Sequence, residues 1–397
     1  MQTDGVETKH GRFAGEEHTE MMIIYAVIVL GILIFVHELG HFLVAKMLNV
    51  KVEKFSLGFG PKLFGKQIGE TEYLLSAFPL GGYVKMFGEG GFIEGGETHH
   101  EPHTDEDTVK VEAPREMTEA EKARSFAHKP PLARIAIVMA GPVFNLCFAW
   151  LAFIVLCMTG VPTVTAKIGE ALKDKPAAKA GVQKDDLITK IDNKTILHWD
   201  DVAGAITASK GQPINLTVKR GNQDVSFTIT PEPRISKNLF GEKINGFAIG
   251  VASAGEIVTE YYNPYQAVIK GSIQTWKVID LTIMSLVKMV QRVVPLDTIG
   301  GPIMIVKMAG EQASAGGSNF LAFMALLSIN LGVLNLLPVP VLDGGHLIFY
   351  FWELIFRRPI NQKAREYAQQ IGLFLLLGLM VLAFYNDIVN IVLKRGG

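Results

Sequence analysis

Two histidines four residues apart, with a glutamate between them, are the first residues able to do chemistry: His37-Glu38-Leu39-Gly40-His41. On a helix, residues i and i+4 share a face, so both imidazoles can grip one metal ion. Glu38 sits about 100° around such a helix from His37, close enough to take a proton from water at that ion. Histidine ligands beside a carboxylate base are the pattern of zinc-assisted hydrolysis. The competing reading is a chance match, or an apolar helix whose polar groups are merely satisfied.

The setting decides the class of protein. Met22 to Phe35 runs into the motif without a charge. From Met22 to Ala45 a helix would be about 36 Å long, enough to cross a bilayer. Ionisable groups at such depth are costly unless they bind something or face a wet cavity, so they mark a functional site. A cleaved signal peptide is excluded by the length of the run and by the lack of a small-residue cleavage site.

A third ligand must come from elsewhere, and residues 320–356 supply it. This stretch would be about 55 Å long as one helix, too long for a single straight span. It is interrupted between Asn335 and His346, in a stretch holding Pro338, Pro340, Gly344 and Gly345. Broken backbone at membrane depth is tolerated only where it lines a cavity or is buried in protein. Asp343 lies in that break and is the candidate third ligand; the plain alternative is a loop aspartate at the membrane surface. Two further spans are expected, at 134–160 and 368–393. With spans one and three parallel, the histidine pair and Asp343 both lie late in their spans and reach the same side of the bilayer.

The rest of the 397 residues divides around these spans. Net charge is −1, and nothing suggests nucleic-acid binding. The two cysteines, Cys147 and Cys157, are about 15 Å apart along one helix and cannot pair. Residues 1–21 are polar, rich in acids, and expected to be disordered. Residues 49–133 form a long connection. Its part 55–86 carries glycines, prolines and aromatics that suggest β-hairpins, with Phe55, Gly58, Gly60, Gly81, Gly82 and Tyr83 as the region that could receive an extended peptide on a free edge; an ordinary structured loop is the alternative. Its part 88–125 reads as a solvated acidic insert, in which His99, His100 and His103 lack a second ligand set. Residues 162–235 alternate in hydropathy, with Ile214, Leu216 and Val218 opposite Val225, Phe227 and Ile229, as in a small soluble α+β module. Residues 236–319 are expected to hold a connecting strand and amphipathic helices. Arg357, Arg358, Lys363 and Arg365 crowd the loop between the last two spans, and Lys46, Lys51, Lys54, Lys129 and Arg134 flank the first two on the same side. The positive-inside rule makes that side cytoplasmic and places the 162–235 module outside.

Taken together, His37 to His41, Gly141-Pro142-Val143-Phe144-Asn145 and Asn335 to Gly345 resemble the site-2 protease family of intramembrane zinc metalloproteases. The stretch Ala180-Gly181-Val182-Gln183-Lys184-Asp185-Asp186-Leu187-Ile188 is similar to part of a PDZ domain, with Lys184-Asp185 in place of Pro-Gly, and points to the bacterial RseP-type branch. The resemblance covers roughly residues 22–393. It implies a polytopic α-helical membrane protein of about four transmembrane helices, with a membrane-associated β-hairpin region and one inserted soluble α+β PDZ-like domain. It implies one catalytic zinc on His37, His41 and Asp343, Glu38 as base, and Asn335 steadying substrate or the developing oxyanion. It also implies a location in the bacterial inner membrane, and substrates that are single-span membrane proteins: anti-sigma factors already trimmed outside, or remnant signal peptides. Peptide or ectodomain contacts would fall to the PDZ-like domain. Two other readings stay open, a membrane metal transporter or sensor that does not need Glu38, and a PDZ-type adaptor without protease activity.

Overall fold

The computed structural model describes residues 7–89 and 117–394, and within them the side chains of 19–78, 81–89 and 117–390. His99, His100 and His103 lie outside the described residues. By its internal packing the chain forms two compact units, one of residues 1–152, 275–282 and 297–397, the other of 153–274 and 283–296.

Helix α1 spans Glu7–Met47. The tail 1–21, expected to lack structure, is therefore helical from Glu7: the apolar run supplies a nucleus, and extending an existing helix costs little. Strands β1 (Val52–Ile68) and β2 (Thr71–Met86) follow. Residues 54–57 pair on both sides, Lys54 with Lys85 and Glu72, Leu57 with Gly82 and Leu75, while Phe64 to Ile68 pair with 71–75. The expected hairpin 55–86 thus begins at Val52 and folds into four neighbouring segments, with 82–86 at one edge. Gly58 and Gly60, at φ of +89° and +88°, allow the fold-back that a residue with Cβ resists. The acidic insert ends in helix α2 (Glu119–Arg124), started by a Thr118–Glu121 capping box. Helix α3 covers Pro131–Thr159 with Pro142 inside it.

The second unit is mostly β. Strands β3 (Val161–Val164) and β4 (Ile168–Ala171) lead through α4 (Pro176–Lys179) to β5 (Leu187–Ile191) and β6 (Lys194–Thr195). Then come α5 (Trp199–Ala208), β7 (Ile214–Arg220), β8 (Gln223–Ile229), β9 (Glu232–Lys237), β10 (Lys243–Ala248), β11 (Val251–Ser253) and β12 (Ile257–Glu260). The main sheet has the order β6-β5-β7-β8. Ile214, Leu216 and Val218 alternate into its core, as the two-residue period of a half-buried strand requires. The module does not stop at 235: β11 pairs with β4, β12 pairs with β3, and Ile249 is buried in the same core. Asp185 adopts φ +68° in the turn before β5, taking the left-handed conformation that a glycine would take.

Helix α6 (Pro264–Val290) carries a capping box at Asn263, and α7 (Pro302–Ser314) begins after Gly301. Helices α8 (Gly317–Asn335), α9 (Asp343–Phe356) and α10 (Gln362–Lys394) complete the chain. Among the described residues, four helical stretches are long and apolar enough to cross a membrane: Thr19–Met47, Pro131–Thr159, Gly317–Asn335 and Gln362–Asn390. The region 320–356 is two helices, because the prolines at 338 and 340 remove backbone donors and close the turn 336–342. In the first unit one apolar cluster joins Ala45, Val52, Phe55, Val84, Ile137 and Tyr350, and a second joins Ala26, Val29, Leu33, Ala309, Phe323 and Met324. The two clusters grip α1 along its length and so fix the face that carries the histidines.

Candidate metal centre

His37 and His41 stand one turn apart on α1, each 8 % exposed. Helix α3 comes up against them at Gly141. A Cβ there would lie 2.8 Å from His37 Cε1 and would collide with His41 Nε2, so only glycine admits both rings. Gly40, between the histidines, likewise meets the Ala140 carbonyl. Asp343 opens α9 directly after the turn 336–342. Its two following glycines are needed for that turn: a Cβ on Gly344 would strike the Leu337 carbonyl, and one on Gly345 the backbone of Pro340.

These constraints bring three donor atoms together. His37 Nε2 lies 3.2 Å from His41 Nε2, and Asp343 Oδ2 lies 3.1 Å from the first and 3.6 Å from the second. All three ligand atoms fall within 4.8 Å of one another. Asp343 Oδ2 is buried yet has no hydrogen bond with proper geometry. A buried carboxylate oxygen left bare costs free energy, and a cation is what restores it. Two imidazoles and one carboxylate, with room for a further ligand, are the donor set of a catalytic zinc site.

The far nitrogens of both rings are also held. His41 Nδ1–H donates to the Ile137 carbonyl at 2.9 Å, which leaves the Nε2 lone pair free for a metal. The Asn145 amide reaches His37 Nδ1 at 3.1 Å, and its Oδ1 is otherwise buried without a partner. Turned so that Oδ1 accepts from Nδ1–H, the amide is satisfied and the second ring presents its own Nε2. Asn145 is fully buried, and Ser328 Oγ donates to its backbone carbonyl at 2.8 Å. Asn335, in the last turn of α8, places its amide nitrogen 3.4 Å from His37 Nε2.

Glu38 faces a cavity of about 390 Å³ that His37, His41 and Asp343 also line. Gly82 and Tyr83, from the edge segment of the sheet, form part of the opposite wall. A Cβ on Gly82 would approach Glu38 Cγ to 2.9 Å, so glycine lets this edge sit beside the base. Of the six residues marked out in the strand region, Gly82 and Tyr83 reach the cavity and the other four do not line it. Phe55 is a core residue, 5 % exposed, with ring contacts to Phe42 at 5.3 Å and Phe35 at 6.0 Å. Gly58, Gly60 and Gly81 pack against Phe78 and Phe59 in the fold-back of the sheet. In the sequence, Asn145 reads as no more than a buried amide. Its place four residues after Gly141, on the same helical face, is the one signal that ties it to the site.

The model of Peptidase family M50 matches residues 25–379. A putative zinc metalloprotease of Agrobacterium fabrum is 34 % identical, covering 93 % of this chain and 96 % of its own length. One of the same description from Clostridium perfringens is 35 % identical, covering 93 % and 99 %. Protease RseP of Yersinia pestis is 29 % identical, covering 91 % and 97 %.

Proposed function

We propose that this chain, which belongs to Peptidase family M50 and is a membrane metalloprotease, cuts peptide bonds within the membrane-spanning segments of single-span proteins. One observation carries the reading: a buried carboxylate oxygen that meets two oriented imidazoles without a proper hydrogen bond, in a cavity shared with a glutamate and a free sheet edge.

His37, His41 and Asp343 would hold the zinc. When bound, zinc polarises a substrate carbonyl and brings the pKa of a water near neutrality. Glu38 takes the proton from that water and returns it to the leaving nitrogen, which leaves as an amine while the acyl carbon gains the hydroxyl. The Asn335 amide, at the same ring as the metal position, donates to the oxygen on which charge develops. A helical substrate must first unwind, since its carbonyls are otherwise bonded internally. The edge 82–86 supplies replacement backbone partners by strand addition, and the glycine at 82 lets the added strand lie against Glu38.

The charge of the basic loops supports an active site toward the cytoplasmic side of a bacterial inner membrane, with the PDZ-like module outside. There the module screens ectodomains, so that substrates are anti-sigma factors already trimmed or remnant signal peptides. Cleavage of one transmembrane segment after an outside cut is regulated intramembrane proteolysis.

The test is Glu38→Gln in a reconstituted cleavage assay with zinc measured on the same sample. The expected outcome is about one zinc per chain and a loss of rate on the order of 10²–10⁴-fold. Unchanged cleavage rejects the reading. A metal transporter would keep its flux in that variant, and an adaptor would be blind to it.

A further inference from the structure

The catalytic cavity has a second polar wall that the reaction above does not use. Arg365, one turn into α10, lines it together with His346 and Tyr350 of α9. Arg365 Nη2 lies 3.3 Å from His346 Nδ1, and the guanidinium stands 5.9 Å from the centre of the Phe349 ring. Tyr350 lines the same wall. Arg134, Arg124 and Arg220 are matched with carboxylates, Glu353 at 2.5 Å, Glu70 at 2.6 Å and Asp186 at 2.7 Å, and Arg234, Arg292, Arg357 and Arg358 do not line this cavity. Among the described residues, no carboxylate stands within ion-pair distance of Arg365. The acid nearest in function, Glu89 on the same cavity, is tied down by the Met86 N–H at 3.0 Å.

Position gives this arginine a meaning. His346 follows Asp343 by three residues on α9, so the two share a face about one turn, or roughly 5 Å, apart. An extended peptide advances about 3.3 Å per residue. A substrate threaded past Asp343 therefore brings a group one or two residues from the cut bond up to the Arg365 fork. A guanidinium with free donors in a partly buried cavity prefers a carboxylate.

We propose that Arg365, oriented by His346 and the Phe349 ring, is a carboxylate-binding subsite of the catalytic cavity. It reads an acid carried by the substrate within about two residues of the cut bond. The carboxylate comes either from an Asp or Glu side chain or from the free C-terminus of a released fragment. The proposal rests on the proteolytic reading above.

The experiment uses the full chain as Glu38→Gln, loaded with zinc in lipid nanodiscs, and measures direct binding of labelled peptides by fluorescence anisotropy. One pair of peptides differs as Glu against Gln beside the cut position; a second pair differs as free acid against amide at the terminus. At least one acid form binds about tenfold more tightly than its neutral twin. The pair that shows the preference identifies the source. Adding Arg365→Gln removes that preference while the neutral peptides keep their affinity and zinc stays at one per chain; Arg365→Lys restores part of it. Equal binding within both pairs, or a preference that survives Arg365→Gln, overturns the subsite. Cleavage by the unmodified chain is assayed in parallel, so absence of any acid preference in the Glu38→Gln chain, with cleavage by the unmodified chain intact, rejects the subsite alone. Loss of the neutral peptides' affinity in both Arg365 variants, with zinc retained, makes Arg365 a packing residue and also overturns it.

Discussion

Asp343 in the unit that carries the membrane-length helices and Asp186 in the β-rich unit are both largely withdrawn from water, yet the chain treats them in opposite ways. Asp186 is 1 % exposed and saturated by its own unit: Arg220 donates from Nε at 2.8 Å and Nη2 at 2.7 Å, and the Gln183 N–H donates at 2.8 Å. Burial pushes its carboxyl up, but the Arg220 fork, the Gln183 amide and the Arg220 charge outweigh that and hold it below the usual aspartate range. Asp387 of α10 is treated in the same way, accepting from the backbone N–H groups of Gly301, Ile303 and Met304 at the start of α7. Asp343 alone of the three has a buried oxygen that faces imidazole nitrogens, His37 Nε2 at 3.1 Å and His41 Nε2 at 3.6 Å, without a hydrogen bond of proper geometry. Burial of a carboxylate thus says little by itself. A missing partner is what separates a site from a brace, because the desolvation left uncompensated has to be met by something from outside the chain.

The sharpest way to break this contrast is to remove Asp343. Asp343→Ala takes zinc content from about one per chain to nearly none, read by atomic emission, and abolishes cleavage, while the module's thermal transition stays in place. Retained zinc would mean that the ligand set is wrong. Asn145→Ala comes next. It leaves all three ligands but frees the His37 ring, and zinc affinity falls about 10–100-fold in a competitive chelator titration. Asn145→Asp, which keeps an acceptor on Nδ1–H, loses less. The smallest effect is expected at Asp186. Asp186→Asn destabilises the module by about 1–3 kcal/mol in its denaturant transition, with zinc content unchanged. The pH dependence has a definite sign. Because the folded carboxyl titrates below its unfolded value of about 3.9, its stabilisation is complete above that pH and is lost as pH falls toward the folded pKa. Asp186→Asn flattens that acid limb.

Several features were open to reading in the letters alone because they are local. The i, i+4 spacing of His37 and His41, the uncharged approach from Met22, the prolines at 338 and 340 and the alternation along 214–218 each depend on neighbours a few residues away. Other features were not. The module was expected to end at 235, yet Ile249 belongs to its core and β11 and β12 pair with β4 and β3, about eighty to a hundred residues back. Phe55 was placed with a substrate strand for its type and its company, whereas its neighbours in space, Phe35 and Phe42, lie on α1. The tail was judged by composition, which cannot weigh a helix propagated from an apolar run downstream.

Residue type and spacing alone settle what could bind and where the chain must break: two imidazoles on one helical face, one carboxylate in a proline-interrupted stretch, and spans long enough to carry them. Those are matters of residue type and period, fixed before any packing occurs. Only the tertiary structure decided that Gly141 clears the way for both rings, that Asn145 and the Ile137 carbonyl turn them, that the sheet edge at Gly82 lies beside Glu38, and that Arg365 faces the same cavity. Such contacts join residues up to several hundred positions apart. Their free energy depends on distances of a few ångströms, which no short-range pattern encodes.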